Sequence, residues 1–555
     1  MIPRGLSYDD AMRQFRWPRP ERFNIGRAVC ERHPPDALAM IVENADGSVR
    51  NWTFGQLLAA SSRLANALTA RGIAKSDRLG VFLSQGAELT LCHLAGYRMG
   101  AIVLPLFTLF GEEALEYRLA NAEASAIVTD MSQLPKVLAV RDRLPHLKTI
   151  IVIGAGAHGS AFFDWDRMLA AASDRFATVD TAAEDPALLI YTSGTTGQPK
   201  GALHAHRMML GSIPAVEQWL GHWPRGNEVM WTPAEWAWIA GLYDALFPAW
   251  YYGTPVLAHR FAKFDPERAF ALLEKHRVGV AFIPPTALKM MRQVHKPQER
   301  WSYDLRAVST GGEAMGEELL AWGRDSFGTT ISEGYGQTEM NLMLLNSPDW
   351  FEVRPGSCGR ACPGRKVAVV DGEGRVLPSG EDGQIAGWRH DPIVMLEYWR
   401  NPEATARKYA GDWLLTGDLG TIDEDGYVFF KSRDDDVITS GGYRIGPGEI
   451  EECLMKHPAV AMVGVVGVPD PVRTEIVKAF VQLRPEIAGN EALKADLANF
   501  VKTRLAAHEY PREVDFVDEL PLTTTGKILR RELRRLDAER KAGARRQTRT
   551  ISGPA

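Results

Sequence analysis

The chain has few cysteines, no long apolar run and little net charge, and each shortage excludes a class of protein. Its 555 residues include five cysteines, which are too few and too scattered for a disulfide framework and favour a reducing, cytoplasmic location. No run of about 18 apolar residues occurs, so we expect neither a membrane-spanning helix nor a stable membrane association. A net charge of −5 provides no electrostatic reason to expect a nucleic-acid partner.

The hydrophobic pattern is that of a soluble α/β protein with more than one domain. Hydrophobic residues make up 45% of the chain and charged residues 24%, and the length is too great for a single compact core. Strand-like apolar runs at Leu79 to Leu83, Ala126 to Thr129 and Thr149 to Ile153 are separated by amphipathic stretches, which predicts layered α/β structure. Thr53 is a candidate N-cap for the first long helix.

The pattern changes between Gly364 and Tyr427, where short β-type runs are separated by Asp-Gly and Ser-Gly turns. Beyond Asp436 a compact α/β pattern resumes. It predicts two helices and two strands, at Pro447 to Met455, Val460 to Val466, Val477 to Leu483 and Glu491 to Leu505. A small second domain of about 110 residues is therefore expected.

The strongest local signal is Tyr-Thr-Ser-Gly-Thr-Thr-Gly-Gln-Pro-Lys-Gly at residues 191–201, directly after the apolar run Ala187 to Ile190. Glycines allow backbone N–H groups to approach phosphate oxygens, the hydroxyl groups add donors, and Lys200 adds a positive charge. The spacing is not that of a Walker P-loop, which excludes an ordinary P-loop ATPase. The loop therefore indicates a different kind of nucleotide-phosphate site.

This loop and five further motifs resemble the adenylate-forming enzymes, which include acyl-CoA synthetases, peptide-synthetase adenylation domains and luciferases. The further motifs are GYGQTE at 334–339, TGD at 416–418, SRDDD at 432–436, GGYRIGP at 441–447 and PLTTTGK at 521–527. The resemblance extends over about residues 25–540. Within that family, the sequence is most similar to the medium-chain acyl-CoA synthetases, for example in YRIGPGEIE at 443–451.

The resemblance implies a large N-terminal domain of layered α/β subdomains plus a β-rich subdomain, followed by a small mobile α/β lid. The implied boundaries are 1–432 for the ATP- and acyl-binding domain, 433–436 for a hinge at Asp435, and 437–540 for the lid. The lid would rotate between two half-reactions. Residues 541–555, rich in arginine and polar residues, are expected to form a disordered tail.

The implied activity is attack of a carboxylate on the α-phosphorus of ATP, followed by transfer of the acyl group to coenzyme A. Two anions must meet, so magnesium and cationic side chains are required. By resemblance, Thr338 would contact the α-phosphate, Glu339 would bind Mg²⁺ and Lys200 would serve the phosphates. Lys527 would bind the carboxylate and the bridging oxygen during adenylation, and Arg444 would contact phosphate in one lid orientation.

The resemblance also assigns residues to the remaining parts of ATP and to coenzyme A. Tyr335 would lie against adenine, and Asp418 with Arg433 would bind the ribose hydroxyls, while Gly441 and Gly442 would let the pantetheine arm pass the backbone. The other implied cofactor-binding residues are Thr192, Ser193, Gly194, Thr195, Thr196, Gly197, Gly312, Glu313, Ala314, Glu333, Gly334 and Gln337.

The acyl pocket would comprise Trp238, Ile239, Ala240, Gly311 and Gly336. Acetate-specific relatives have a tryptophan where Gly336 stands, so we expect room for a longer acid. The aromatic and apolar surroundings favour a medium-chain, branched or aryl acid. The sequence departs from the medium-chain pattern at residues 234–238 and 340–341, both close to this pocket.

Two other functions fit parts of the same pattern. A stand-alone adenylation enzyme would load an acid onto a carrier protein instead of coenzyme A. The sequence of the predicted lid resembles coenzyme A synthetases and therefore favours coenzyme A as the acceptor. A catalytically silent nucleotide-binding protein is disfavoured because Lys200, Glu339, Asp418 and Lys527 are all present.

Overall fold

The structure is a computed structural model that describes residues 1–192, 198–312, 315–433, 436–440, 443–470, 473–505, 510–523 and 526–551. Within these ranges, the side chains of residues 439, 443, 444, 449 and 542–551 are left out of the description.

The strands alternate with helices through most of the chain. In chain order they are β1 Leu38–Glu43, β2 Val49–Thr53, β3 Arg78–Phe82, β4 Ile102–Pro105, β5 Ala126–Asp130, β6 Thr149–Ile153, β7 Phe163–Asp164, β8 Pro186–Thr192, β9 Lys200–Ala205, β10 Val229–Trp231, β11 Val256–His259, β12 Val278–Phe282, β13 Ala307–Gly311, β14 Ser332–Gln337, β15 Met340–Leu345, β16 Arg360–Ala361, β17 Val367–Val370, β18 Gly383–Trp388, β19 Glu397–Tyr398, β20 Tyr409–Ala410, β21 Trp413–Ile422, β22 Val428–Arg433, β23 Ile438–Ser440, β24 Tyr443–Ile445, β25 Val460–Asp470, β26 Thr474–Leu483 and β27 Glu513–Phe516.

The helices are α1 Tyr8–Gln14, α2 Phe54–Thr69, α3 Ala87–Met99, α4 Glu112–Ala122, α5 Leu134–Val140, α6 Trp165–Ala170, α7 Met208–Trp219, α8 Phe247–Tyr251, α9 Pro266–Lys275, α10 Pro285–Met291, α11 Pro297–Arg300, α12 Glu317–Phe327, α13 Pro402–Arg407, α14 Pro447–Met455, α15 Glu491–Arg504 and α16 Arg530–Ile551. Two π-helical segments, Arg27–Glu31 and Gly241–Leu246, and a 3₁₀ turn, Arg141–Arg143, complete the helical structure of the described residues.

Two large sheets carry most of the predicted nucleotide residues. A nine-stranded sheet has the order β16-β15-β14-β13-β12-β10-β11-β1-β2, and an eight-stranded sheet has the order β19-β9-β8-β4-β3-β5-β6-β7. Both are parallel in the middle and antiparallel at strands such as β15 and β9. Parallel strands buried by helices require apolar residues on both faces, which explains the continuous apolar runs in the sequence.

Two smaller sheets follow along the chain. One has the order β17-β18-β21-β20 with β22 beside β21, and the other has the order β24-β23-β26-β25 with β27 beside β26. Apolar residues from the last sheet form one cluster with residues of α14 and α15, and another with Leu533 of α16. This arrangement is the compact α/β structure that the sequence after residue 436 predicts.

The chain forms two compact units. The first comprises residues 1–367, 386–414 and 425–428, and the second comprises residues 368–385, 415–424 and 429–555. The second unit thus contains parts of the β-rich segment together with the C-terminal residues. The hinge at 433–436 stays a prediction. Among the described residues, no helix has both the length and the apolar character needed to cross a bilayer.

The local predictions hold where short-range physics dominates. Helix α2 begins at Phe54, and Thr53 caps it in a reciprocal capping box with Gln56, as the N-cap prediction requires. The strand at Thr149–Ile153 and the helix at Pro447–Met455 have the predicted bounds. All five cysteines are buried and none forms a disulfide, which agrees with the exclusion of a disulfide framework.

The C-terminal helix is longer than the sequence analysis expects. Helix α16 continues to Ile551, past residue 541, where the sequence analysis expects a disordered tail to begin. Its first turns carry ion pairs from Arg535 to Glu532 and Glu539, and such pairs three and four residues apart favour helix. Arginine and alanine are also good helix formers, so this tail composition does not exclude a helix.

We predict that Asp391→Ala destabilises the first unit severely. Arg365 and Asp391 form an ion pair with a 2.8 Å separation, and both side chains are completely buried. Removing one partner leaves a buried charge unpaired, which typically costs about 3 to 5 kcal/mol. The expected result is a clearly lowered midpoint of thermal unfolding. Glu267→Ala, which breaks the exposed pair with Arg300, is the control and should cost less than about 1 kcal/mol; equal shifts for both variants would contradict the prediction.

Candidate active site

The predicted phosphate loop connects two paired strands of the eight-stranded sheet. Thr192 ends β8 and lies opposite Lys200, the first residue of β9. The Thr192 hydroxyl donates to the Lys200 carbonyl oxygen at 3.4 Å. Lys200 is therefore fixed in a strand, while the predicted residues 193–197 lie outside the described residues.

The predicted α-phosphate and magnesium residues form a two-residue turn. Thr338 and Glu339 connect β14 to the antiparallel strand β15, and Gln337 pairs with Met340 across the turn. The Glu339 side chain is buried, since the residue is only 8% exposed. A buried carboxylate requires hydrogen-bond donors, because desolvation disfavours its charge.

Tyr398 of β19 meets this requirement. Its hydroxyl donates a hydrogen bond to Glu339 Oε1, and the backbone N–H of Met395 donates to the Glu339 carbonyl oxygen at 2.9 Å. The Lys200 ammonium lies 5.3 Å from the centre of the Tyr398 ring. The structure therefore brings Lys200 and Glu339, which are distant in sequence, to one tyrosine side chain, with Lys200 over its ring and Glu339 at its hydroxyl.

The glycines of β13 and β14 allow close packing. A Cβ on Gly334 would lie 2.8 Å from the indole of Trp219, whose Nε1 donates to the Ser332 carbonyl oxygen at 3.0 Å. A Cβ on Gly311 would lie 2.6 Å from the Gly334 carbonyl oxygen. Both glycines are therefore explained by the packing of these strands, whether or not they also line an acyl pocket.

Gly336 also faces backbone. A Cβ there would lie 2.4 Å from the backbone nitrogen of Leu342, at the point where the register between β14 and β15 shifts. The missing side chain is thus required by the neighbouring strand, which changes the interpretation of Gly336 as an opening for a long acid. Its assignment to the acyl pocket stays a prediction.

Two titratable groups beside the turn favour their neutral forms. Glu333 forms part of β14, and burial raises its pKa to about 8. His204 of β9 is completely buried, and burial lowers its pKa to about 4. Both groups are therefore largely uncharged at pH 7, because the protein interior stabilises ions poorly.

The other predicted acyl-pocket residues lie immediately before the π-helical segment 241–246. Trp238 is half-buried with its ring 5.8 Å from that of Phe107, and Ile239 is buried. Ala240 directly precedes the segment and is half-buried. π-Helical turns often occur at functional sites, which agrees with a role for this region.

One departure from the family pattern has a structural role. Asn341 donates a hydrogen bond to the carboxylate of Asp244 in the π-helical segment, and both residues are buried. Burial raises the pKa of Asp244 well above its usual value. The pair ties the region after Trp238 to the strand that follows Glu339.

The predicted ribose residues meet in the second unit. Arg433 Nη1 lies 3.1 Å from Asp418 Oδ1, with the Asp418 side chain 7% exposed and that of Arg433 38% exposed. The Asp418 N–H also donates to the Thr416 hydroxyl at 3.1 Å. An arginine beside a carboxylate restricts its orientation, as a site for two vicinal hydroxyl groups requires.

Lys527 lies in a tight turn of the second unit. Its N–H donates to the Thr523 hydroxyl at 3.0 Å, and its carbonyl oxygen accepts from the Thr523 N–H at 2.6 Å. Lys527 is exposed, as a lysine that must reach a substrate would be. Arg444 lies in β24, opposite Thr439.

Two further predicted cofactor-binding residues lie in or directly after strands of the nine-stranded sheet. Gly312 follows β13 with a φ of 99°, a conformation that favours glycine, and Tyr335 is half-buried in β14. The predictions for Glu313, Ala314, Asp435, Gly441 and Gly442 lie outside the described residues.

Sequence reasoning missed two residues that contact the GYGQTE motif. Tyr398 is 59 residues from Glu339, and Lys408, whose Nζ donates to Gln337 Oε1 at 2.7 Å, is 71 residues from its partner. Neither is marked by glycines, spacing or periodicity. A tyrosine and a tryptophan side by side in the polar stretch 397–401 are the only local signal.

Two family models match consecutive parts of the chain. The model described as AMP-binding enzyme matches residues 27–399, and the model described as AMP-binding enzyme C-terminal domain matches residues 449–527. The first contains Lys200 and the 334–339 motif, and the second ends at Lys527. A large N-terminal part and a small C-terminal part are thus both recognised.

Similarity to individual proteins extends over nearly the whole chain. Acetyl-coenzyme A synthetase of Bacillus subtilis (strain 168) is 34% identical over 97% of this chain and 96% of its own length. Mitochondrial acyl-coenzyme A synthetase ACSM4 of Rattus norvegicus is 34% identical over 95% of this chain and 93% of its own. The crystal structure of the anthranilate CoA ligase AuaEII with anthranoyl-AMP has a TM-score of 0.85 and 29% identity, and the match covers 95% of this chain and 99% of that one. Because two family models match in order and these relatives match over more than nine-tenths of both chains, this chain belongs to the AMP-binding enzyme family.

Proposed function

We propose that this protein is an acyl-CoA synthetase that converts a carboxylic acid and ATP to an acyl-adenylate and pyrophosphate, and then forms acyl-CoA and AMP. The observation that carries the proposal is that Lys200 and Glu339 both contact the side chain of Tyr398. A cation and a buried carboxylate at the ends of two phosphate-binding motifs suit a magnesium–triphosphate substrate better than a neutral ligand.

The residues present fit a magnesium ion that arrives with its nucleotide. The described residues contain no cluster of three or more histidine, cysteine or acidic side chains that would form a complete metal cage. Mg²⁺ in nucleotide enzymes is commonly bound by one or two carboxylates together with phosphate oxygens, and Glu339 is one such carboxylate. The ion would supply neutralisation of charge on the phosphates.

The chain's own residues would orient the two anions for reaction. Thr338 would donate to the α-phosphate, and Lys200 would balance the negative charge of the pyrophosphate. Lys527 would hold the carboxylate of the acid close to the α-phosphorus, and the Asp418–Arg433 pair would bind the ribose. Such positioning lowers the entropic part of the activation barrier, because the two anions no longer have to be brought together from solution during the reaction.

Coenzyme A is the proposed acceptor in the second half-reaction. Gly441 and Gly442 would leave room for the pantetheine arm, and Arg444 would contact phosphate after the lid has rotated. The similarity to two coenzyme A synthetases along their whole length supports this acceptor. The alternative is a carrier-protein phosphopantetheine, which offers the same thiol.

A medium-chain, branched or aryl acid is the proposed substrate. The aromatic rings of Trp238 and Phe107 lie together near the predicted pocket, and such surfaces favour an apolar acyl group. The similar anthranilate ligase binds an aryl adenylate, whereas the similar Bacillus enzyme is named for acetate. A cytoplasmic location also stays a prediction, and the similar rat enzyme is mitochondrial.

A panel of acids tests the whole proposal. Acetate, straight-chain acids of four to twelve carbons, branched acids and benzoate should be assayed for AMP release with and without coenzyme A. We expect release that depends on both the acid and coenzyme A and is greatest for one of the larger classes. Release with a phosphopantetheinylated carrier but not with coenzyme A would contradict the synthetase and support the alternative.

Lys527→Ala should separate the two half-reactions. Loss of the ammonium removes the charge that holds the carboxylate and bridging oxygen, so acid-dependent pyrophosphate exchange should fall about 100-fold or more. Conversion of supplied acyl-adenylate to acyl-CoA should be unchanged. Lys494→Ala, which removes an ammonium paired with the exposed Glu491 in α15, should leave both steps intact. Equal loss of both half-reactions in Lys527→Ala would show that the lysine has no step-specific role.

Gly336→Ala should impair the enzyme regardless of acid length. The new methyl group would meet the Leu342 backbone at 2.4 Å, and forcing the strands apart typically costs about 1 to 3 kcal/mol. We expect a lower unfolding midpoint and a similar fractional loss of kcat/KM for short and long acids. Gly226→Ala, where the added Cβ has open space, is the control. Normal stability with selective loss of long acids would instead support Gly336 as a gate for chain length.

A further inference from the structure

A short segment links the two phosphate-binding motifs of the first unit. Residues 394–408, here called the strap, contain β19 and α13. On one side the strap is hydrogen-bonded to β9, because Leu396 N donates to the Leu203 carbonyl oxygen and Trp399 N donates to the Gly201 carbonyl oxygen, each at 2.7 Å. The strap therefore adds an edge strand to the sheet, beside the strand that begins with Lys200.

The other side of the strap binds the turn that contains Glu339. Val394 forms an antiparallel bridge with Met340, and Met395 N donates to the Glu339 carbonyl oxygen at 2.9 Å. Lys408 Nζ donates to Gln337 Oε1 at 2.7 Å. The strap thus contacts both strands of the 338–339 turn through backbone as well as side chains.

Tyr398 occupies the centre of this arrangement. It is 5% exposed and packs with Ala202, Met395 and Ala404, while its backbone pairs with Ala202 of β9. A buried tyrosine hydroxyl requires a partner, and here that partner is Glu339 Oε1. Hydrogen bonding of one oxygen restricts rotation of the carboxylate, which would otherwise have several orientations.

We propose that Tyr398 is a positioning residue that holds the Glu339 carboxylate in the orientation required to bind the divalent ion of the nucleotide substrate. The proposal rests on the proposed function and deepens it by adding a residue that itself contacts neither substrate nor metal. The plain alternative is that Tyr398 only fills space between β9 and α13. The two differ in what the hydroxyl does, because a phenylalanine ring would fill the same space.

Tyr398→Phe is the direct test. It keeps the ring, its packing against Ala202 and the nearby Lys200 ammonium, and it removes the hydroxyl that donates to Glu339. Loss of a hydrogen bond to a metal-binding side chain typically weakens metal affinity about 10- to 100-fold. We therefore expect the magnesium concentration for half-maximal acid-dependent pyrophosphate exchange to rise about tenfold or more, with recovery at high magnesium.

A second readout does not depend on turnover. Binding of Mn²⁺ to the protein in the presence of ATP and without acid, followed by electron paramagnetic resonance, should weaken by about the same factor in Tyr398→Phe. Conversion of supplied acyl-adenylate to acyl-CoA should be unchanged. Tyr303→Phe is the matched control, since its hydroxyl donates to the Ser326 carbonyl oxygen at 2.8 Å, and it should alter neither measurement.

Three results would overturn the proposal. One is unchanged Mn²⁺ binding and magnesium dependence in Tyr398→Phe, and the second is a loss of exchange that high magnesium does not restore. The third is a variant that fails to fold, because the hydroxyl would then be a structural group. If the wild type exchanges pyrophosphate with no acid, the proposed function fails, and the Mn²⁺ comparison still decides the role of Tyr398.

Discussion

The first unit depends on one constraint, which is that two different sheets must hold a cation and a carboxylate against the same tyrosine side chain. Lys200 begins β9, which is next to the edge strand of the eight-stranded sheet, and Glu339 lies in a turn of the nine-stranded sheet. Neither sheet alone fixes the separation of these residues. Residues 394–408 do so, because their backbone is hydrogen-bonded to both the strand and the turn.

The charged groups near this turn differ in how their burial is compensated. Burial holds Glu333 and His204 largely in their neutral forms, whereas Glu339 accepts a hydrogen bond from Tyr398. A further buried carboxylate without a donor would be costly to ionise and would repel an anionic ligand. In the turn between β14 and β15, the Glu339 carboxylate is therefore stabilised by the hydrogen bond from Tyr398.

Much of the fold follows from local patterns in the sequence. The N-cap at Thr53, the apolar strands such as β6 and the helix that begins at Pro447 are confirmed, because caps, periodicity and prolines act over a few residues. The extent of α16 is not predicted, since its arginine-rich composition suits both a helix and a disordered tail. The split of the chain into two units also differs from a simple cut at residue 433, because strands distant in sequence group together.

The sequence by itself determined which residues are candidates for the chemistry: the hydroxyl- and glycine-rich loop, Lys200, Thr338, Glu339 and the lysine near the C-terminus. These residues lie in short motifs that the resemblance to the adenylate-forming enzymes assigns to phosphate, magnesium and the substrate carboxylate, and their residue types suit that chemistry, so they can be predicted without a structure. Only the tertiary structure decided that Tyr398 contacts Glu339 and that Gly336 faces the backbone of Leu342. Such contacts join strands from separate parts of the chain, and their distances depend on sheet register, which no local pattern specifies.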